Sequence, residues 1–232
     1  PNGPLPDDAL DQLMQIGQQE FDQYDDLKVK LFWWQRFKHV AEWFISYEQG
    51  WRQNLMRSYA EIKGETVLAT AMGDITLTAT ADRIDITKDG KVRIVDYKTG
   101  QPPSKNAVKN GRALQLRMEA LLIGVDGYPD LDSAMLNSDP SARIDDLNYW
   151  HITGKRGAAG APSTVLPKDE DVIAESRAGI LKLLDEFAAP TQGYLSEPMA
   201  GEASPYSDYK HLARVKEWVT MQAPKLEILN RF

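Results

Sequence analysis

Two aspartates and a lysine lie close along this sequence in an order that can act on a phosphodiester. Ala81-Asp82-Arg83-Ile84-Asp85-Ile86 leads into a short charged turn, and Val92-Arg93-Ile94-Val95-Asp96-Tyr97-Lys98-Thr99-Gly100 follows. Asp82 and Asp96 fall in two β-like runs, with Lys98 two residues beyond Asp96. Carboxylate oxygens are hard donors that suit Mg²⁺ or Mn²⁺, and a neighbouring ammonium can orient a water or offset charge growing in a transition state. The trio therefore points to metal-dependent phosphodiester hydrolysis.

Further residues attach to this centre with different weights. Tyr97 alternates with Asp96 and Lys98, so its phenol should face the other side of the sheet, which leaves its backbone carbonyl as a third candidate metal ligand. Asp85, three past Asp82, should also face away, and a structural pairing with Arg83 is favoured over contact with the metal. Thr99 and Gly100 suit a tight turn whose backbone N–H groups could approach a phosphate. Gln115 and Glu119 are four apart and share one face of an expected helix. Gln115 is expected to bond a phosphate or the surroundings of Lys98. Glu119 is divided between a supporting role beside the site and a solvated helix face.

The ordered set Asp82, then Asp96-Tyr97-Lys98, then Gln115-Leu116-Arg117-Met118-Glu119 resembles the motifs of the PD-(D/E)XK nuclease superfamily, in its RecB-like branch. That branch often carries a tyrosine where Glu119 stands. Phe32-Trp33-Trp34-Gln35-Arg36-Phe37 and Tyr209-Lys210-His211-Leu212-Ala213-Arg214-Val215 extend the resemblance to the C-terminal nuclease domains of AddB-type subunits of bacterial helicase–nucleases. The resemblance implies Asp82, Asp96, Lys98 and Gln115 as catalytic residues and Asp82, Asp96 and the Tyr97 carbonyl as ligands of Mg²⁺ or Mn²⁺. It also implies DNA as substrate, an AddA-like helicase–nuclease subunit as partner, and a bacterial cytoplasmic, DNA-associated setting for repair of double-strand breaks. Many RecB-like nucleases add a metal-binding histidine in an upstream G-x-x-x-H segment. His39, His151 and His211 do not fit it, so the chain is expected to be a C-terminal piece of a longer protein with that segment before Pro1. The alternatives are an inactive nuclease-fold module for DNA binding or assembly, and a stand-alone RecB-like exonuclease.

Composition narrows the classes. The 232 residues contain no cysteine, which excludes disulfides and the iron–sulfur cluster that some AddB-type domains carry. The formal net charge of −7 argues against a generic nucleic-acid binder. Lys88, Lys91, Arg93, Lys98, Lys105, Lys109, Arg112 and Arg117 nevertheless gather around the motifs, while Asp145-Asp146 and Asp169-Glu170-Asp171 lie elsewhere. No G-x-x-x-x-G-K-[ST] phosphate loop occurs.

The elements that must position these residues can be read from periodicity and turn signals. The expectation is an α/β fold, a mixed central sheet flanked by helices with a PD-(D/E)XK restriction-endonuclease-like core, in one domain over residues 1–232. Helices are expected from Asp7 or Asp8 to about Phe21, over 29–57, from a Ser104 cap to about Ile123, over 169–188 and near 208–222. The aromatics of the second helix should pack on the sheet. Runs 65–71, 75–86 and 91–97 should form an antiparallel meander, joined by a strand at 147–152. Residues 154–163, rich in Gly, Ala and Pro, read as an irregular excursion, and 189–208 as turn-rich.

Overall fold

Gly73 at φ +103° and Gly90 at φ +77° reverse the chain twice in a conformation that costs a glycine little, and three long strands result. In the computed structural model, which describes residues 3–166 and 171–193, these are β1 (Leu55–Thr70), β2 (Gly73–Thr87) and β3 (Val92–Lys98). They pair antiparallel in sequence order, as the expected meander requires. The chain then crosses over and returns as β4 (Ile144–Lys155), parallel to β3, and β5 (Ala158–Thr164) closes the order β1-β2-β3-β4-β5.

Two helical layers cover this sheet. Helices α1 (Ala9–Asp22) and α2 (Leu27–Trp51) pack on each other, and α2 lies on β4 and β5. Helices α3 (Lys105–Lys109) and α4 (Gln115–Gly124) occupy the crossover, and α5 (Val172–Ala188) packs against α4 and β1. Strand alternation sorts the core. Ile84, Ile94, Leu147 and Tyr149 join Leu116, Ala120, Leu122, Ile123, Val172 and Ile173 in one apolar cluster on the α4 face. On the α2 face, Trp150 is fully buried inside a ring of Trp43, Phe44, Tyr47, Trp51 and Tyr97, with ring centroids 4.9–6.0 Å from its own. Trp43, Phe44, Tyr47 and Trp51 thus pack α2 on the sheet, as expected, whereas Trp34 and Phe37 pack on Phe21 of α1 and Phe32 and Trp33 are exposed.

The structure departs from the sequence reading in three places. β1 starts at Leu55, because α2 ends at Trp51 and a single 3₁₀ turn, Arg52–Asn54, follows; residues 55–64 are strand rather than helix or loop. The helix capped by Ser104 is broken. Ser104 Oγ does accept the Ala107 N–H at 3.2 Å, but Gly111 at φ +68° and N–H groups of Arg112 and Ala113 turned back to the Ala107 carbonyl end that helix, and α4 starts afresh at Gln115. Residues 154–163 form the β4–β5 hairpin and most of β5 rather than an excursion, since small side chains such as Gly160 let the strand lie directly against the Trp43 ring. The expected helix near 208–222 lies outside the described residues, as do most of 189–208.

Candidate active site

β3 carries the centre. Val92, Ile94, Asp96 and Lys98 alternate onto the α4 face, whereas Arg93, Val95 and Tyr97 alternate onto the α2 face. Asp96 is 1 % exposed. The Lys98 ammonium lies 2.8 Å from its Oδ1, to which it donates, and 2.7 Å from its Oδ2. Burial pushes the Asp96 carboxyl up from its ordinary value; Lys98 pulls it back, and the nearby Asp82 carboxylate adds to the rise. Lys98 also donates to Gln115 Oε1 at 3.1 Å and sits over the Tyr149 ring at 5.8 Å.

Asp82 reaches the same place from β2 through a defect in the sheet. The β1–β2 ladder pairs Ala60 with Arg83 and Ile62 with Ala81, passing over Glu61 and Asp82, and Glu61 has φ +53°. The β2–β3 pairing ends at Arg83 and Val95. Beyond that point the Asp82 Oδ2 accepts the Tyr97 peptide N–H at 3.0 Å, replacing the ladder bond that the strands no longer make. Asp82 is thereby bonded to the backbone next to Asp96.

Gln115 and Glu119 come down from α4. Gln115 is the first residue of that helix, and its Nε2 donates to Glu119 Oε1 at 3.3 Å. Glu119 is 1 % exposed, so it is not on a solvated helix face. Its pKa is pushed up to about 8, first by burial and then by the charges of Asp96 and Asp82, with the Gln115 hydrogen bond and Lys98 opposing. Tyr149, from β4, is raised chiefly by burial and then by Asp96 and Glu119.

The remaining candidates fall elsewhere. Asp85 is fully buried on the α2 face, where it is ion-paired with Arg83 at 2.7 Å and accepts the Trp51 indole N–H at 2.6 Å. It is a structural residue and does not reach the centre. The Tyr97 phenol is on that face too, 3.4 Å from Arg83 Nη1. Its N–H faces Asp82, and in an extended strand the carbonyl shares that edge. Thr99 is exposed just past β3. The basic cluster of the sequence is dispersed by the fold. Arg93 pairs with Asp145 at 2.7 Å on the α2 face, Arg117 is buried 3.6 Å from Glu175, and Lys88 and Lys91 sit at the far end of β3 from Lys98. Lys98 remains at the centre, and Lys105, Lys109 and Arg112 are exposed on the crossover that follows it.

One residue escaped the sequence reading. The parallel ladder places His151 of β4 directly beside Lys98, and alternation from Tyr149 puts it on the same face, partly exposed at the rim. Fifty residues and a crossover separate the two in sequence, so no local spacing signals the approach. His39 instead lies against the Gly154 carbonyl, 3.2 Å from Nδ1, away from the centre.

The donor chemistry fits a hard divalent cation. Asp82, Asp96 and Glu119 influence one another electrostatically around one ammonium; Glu119, raised to about 8, largely keeps its proton at neutral pH, which leaves Asp82 and Asp96 as the donors a cation would use. Among the described residues no three His, Cys, Asp or Glu side chains are gathered into a ready cage. A cation here would rest on Asp82 and Asp96 and keep much of its water, as Mg²⁺ does.

The sequence matches the PD-(D/E)XK nuclease superfamily over residues 2–204, and the chain belongs to that superfamily. Its members are generally nucleases, typically with divalent metals such as Mg²⁺. The chain is 29 % identical to an uncharacterized protein of Rickettsia bellii over 79 % of its own length and 22 % of the relative's. It is 34 % identical to the uncharacterized protein RT0391 of Rickettsia typhi over 80 % of its length and 24 % of that protein. The chain thus spans about a quarter of the length of the curated relatives it matches. Among solved structures, SSO0001 superposes at a TM-score of 0.31 with 10 % identity, covering 82 % of this chain and 89 % of that one. No helix of the described residues is long and apolar enough to cross a membrane.

Proposed function

We propose that this chain is a metal-dependent DNA nuclease domain, acting within a helicase–nuclease that resects double-strand breaks, in the manner of an AddB-type subunit with an AddA-like partner. The carrying observation is the contact chain from Asp96 through Lys98 to Gln115, with Asp82 bonded to the Tyr97 N–H next to Asp96. Mg²⁺ or Mn²⁺ bound by Asp82 and Asp96, with the Tyr97 carbonyl as a further oxygen donor, would supply Lewis-acid activation of water and charge neutralisation.

The chain's own residues do the rest. Asp96 and Gln115 occupy two of the three donor directions of the Lys98 ammonium, whose side chain is 32 % exposed, so the third can hold an attacking water or a non-bridging phosphate oxygen in line with the scissile bond. Asp82 and Asp96 fix the negative edge against which the phosphate is oriented. Lys105, Lys109 and Arg112, on the crossover, offer a short basic track for the adjacent backbone. It is too small to give strong DNA affinity by itself, which favours a partner that presents the strand. Relatives about four times as long fit a nuclease domain within a larger protein, although those relatives are uncharacterized.

The test compares the chain with its longer parent protein on linear duplex and single-stranded DNA in Mg²⁺ or Mn²⁺. Cleavage that disappears in Asp96→Ala and Lys98→Ala supports the reading. Cleavage that survives both substitutions excludes it. The helicase–nuclease assignment further requires that an ATP-hydrolysing partner co-purify with the parent protein and stimulate cutting.

A further inference from the structure

We infer that Glu119 is a positioning residue that fixes the Lys98 ammonium by orienting the Gln115 amide. This deepens the nuclease reading of the same site, and it rests on that reading for its kinetic test alone.

An amide is polar end to end. Its oxygen only accepts hydrogen bonds, and its NH₂ only donates. Gln115 lies between Lys98, which only donates, and Glu119, whose Oε1 accepts. The observed arrangement satisfies both: Lys98 Nζ donates to Gln115 Oε1 at 3.1 Å, and Gln115 Nε2 donates to Glu119 Oε1 at 3.3 Å. Rotated by half a turn, the amide would set its NH₂ against the ammonium, where neither group accepts, and would give up the Nε2 bond to Glu119 Oε1. Glu119 can enforce this choice because it is buried at 1 % exposure one helical turn from Gln115, and because α4 starts at Gln115, which leaves that side chain no preceding turn of α4 to pack on. With Asp96 on one side and the oriented amide on the other, the third N–H of Lys98 has one direction left. A tyrosine, usual at this position in RecB-like nucleases, could also accept from Gln115 through its hydroxyl. Glutamate does so here with a different side chain.

The experiment uses the full 232-residue chain and its Glu119→Ala, Glu119→Gln, Gln115→Ala and Glu119→Ala/Gln115→Ala variants. Cleavage of linear duplex is followed in saturating Mn²⁺, and the Lys98 ammonium signal is observed by NMR and assigned with Lys98→Arg. Glu119→Ala and Gln115→Ala should each lower kcat roughly 10- to 100-fold, as expected for a misaligned group, and move KM less than about twofold. The double variant should be no slower than the slower single. Glu119→Gln, whose Oε1 still accepts, should recover most of the loss. The Lys98 signal, sharpened by slow exchange in the wild type, should broaden in Glu119→Ala and return in Glu119→Gln. Losses that multiply in the double variant, a Glu119→Gln variant as slow as Glu119→Ala, or an unchanged Lys98 signal in Glu119→Ala would overturn the inference. If neither this chain nor its longer parent protein cuts DNA, the nuclease reading fails, and the Lys98 signal alone decides the positioning; if only the parent cuts, the kinetic comparison is made in the parent. If Glu119→Ala does not fold, Glu119→Leu takes its place.

Discussion

The Asp82 carboxylate holds the Tyr97 peptide N–H at 3.0 Å, at the point where β2 and β3 cease to pair. A side chain thus does the work of a ladder bond and is fixed beside Asp96 as a result. The same oxygen pair serves the sheet and the proposed cation, and two substitutions separate these duties.

Asp82→Ala should lose both. A peptide N–H left without its charged acceptor costs about 1–2 kcal/mol in a half-buried setting, read as a lower urea midpoint at unchanged slope. Asp82→Asn retains an acceptor oxygen and should keep most of that stability. Both variants should cut DNA at least about 100-fold more slowly, since an amide is a poor ligand for a hard cation. Full cutting by Asp82→Asn would remove Asp82 from the proposed ligand set.

Lys98→Ala should lower the cleavage rate by about 10²–10³, the cost of removing one donor aimed at transition-state charge. DNA retention by gel shift in Ca²⁺ should change little, because one ammonium is a small part of phosphate affinity. Lys98→Arg should stay slow, because the longer planar fork cannot bridge Asp96 and Gln115 in the same geometry. Single-turnover rates beside binding curves check this, and parallel loss of both would place Lys98 in DNA binding instead.

Much of this centre was legible beforehand. Asp96, Lys98 and the opposite facing of Tyr97 follow from strand alternation, and the β1–β2–β3 meander from Gly73 and Gly90. What was not legible depends on non-local packing. The start of β1 was hidden because 55–64 continues an aromatic helix without a strong breaker. The split between α3 and α4 turns on the positive φ of Gly111, and β5 on a strand whose small residues make room for Trp43. His151 reaches Lys98 only through a parallel pairing, which needs a long crossover and leaves no local trace. The burial of Glu119 follows from the helix break, so a reading with one long helix could not assign its face.

Stability should fall with rising pH because of Glu119. Its carboxyl is raised from an ordinary 4.5 to about 8, so between those values the folded chain keeps a proton that the unfolded chain has released. The stabilisation is complete below about pH 4.5, shrinks as pH rises through that window, and is gone above about 8. At about 1.4 kcal/mol per unit, the full effect is on the order of a few kcal/mol. Lys98 and Asp96 of β3, Asp82 of β2, Tyr149 of β4 and Tyr128 all face or influence this group, and Asp96 shifts in the same direction. The difference between wild type and Glu119→Gln therefore isolates it. Urea unfolding from pH 5 to 9 should show Glu119→Gln gaining on the wild type as pH rises. Parallel curves would mean that Glu119 titrates at its ordinary value.

The opposite face of the sheet should control the centre through one buried ion network. Arg83 donates to both oxygens of Glu48, at 2.9 and 2.8 Å, and to Asp85 Oδ1 at 2.9 Å, while Arg52 donates to Glu48 at 2.7 Å. The Arg83 guanidinium lies over the Trp150 ring at 5.3 Å and within 3.4 Å of the Tyr97 hydroxyl. Glu48 belongs to α2, and Arg83 and Tyr97 adjoin Asp82 and Asp96 in their strands, so the network ties that helix to the backbone that holds both aspartates. Glu48 is 1 % exposed and Arg83 5 %, so removing one partner strands the other in a dry setting. Glu48→Ala should cost about 3–5 kcal/mol, whereas a variant that removes the paired charges together, Glu48→Leu with Arg83→Met and Asp85→Asn, should cost less than the single change, because the buried Asp85 is not then left without its cation. The combined variant should nonetheless cut DNA more slowly than the wild type at equal folded fraction, since Tyr97 and the strand end lose their anchor. Urea melts of the single and combined variants, followed by cleavage rates at a temperature where both are folded, check the two parts separately. A combined variant less stable than Glu48→Ala would mean that the charges themselves hold α2 on the sheet.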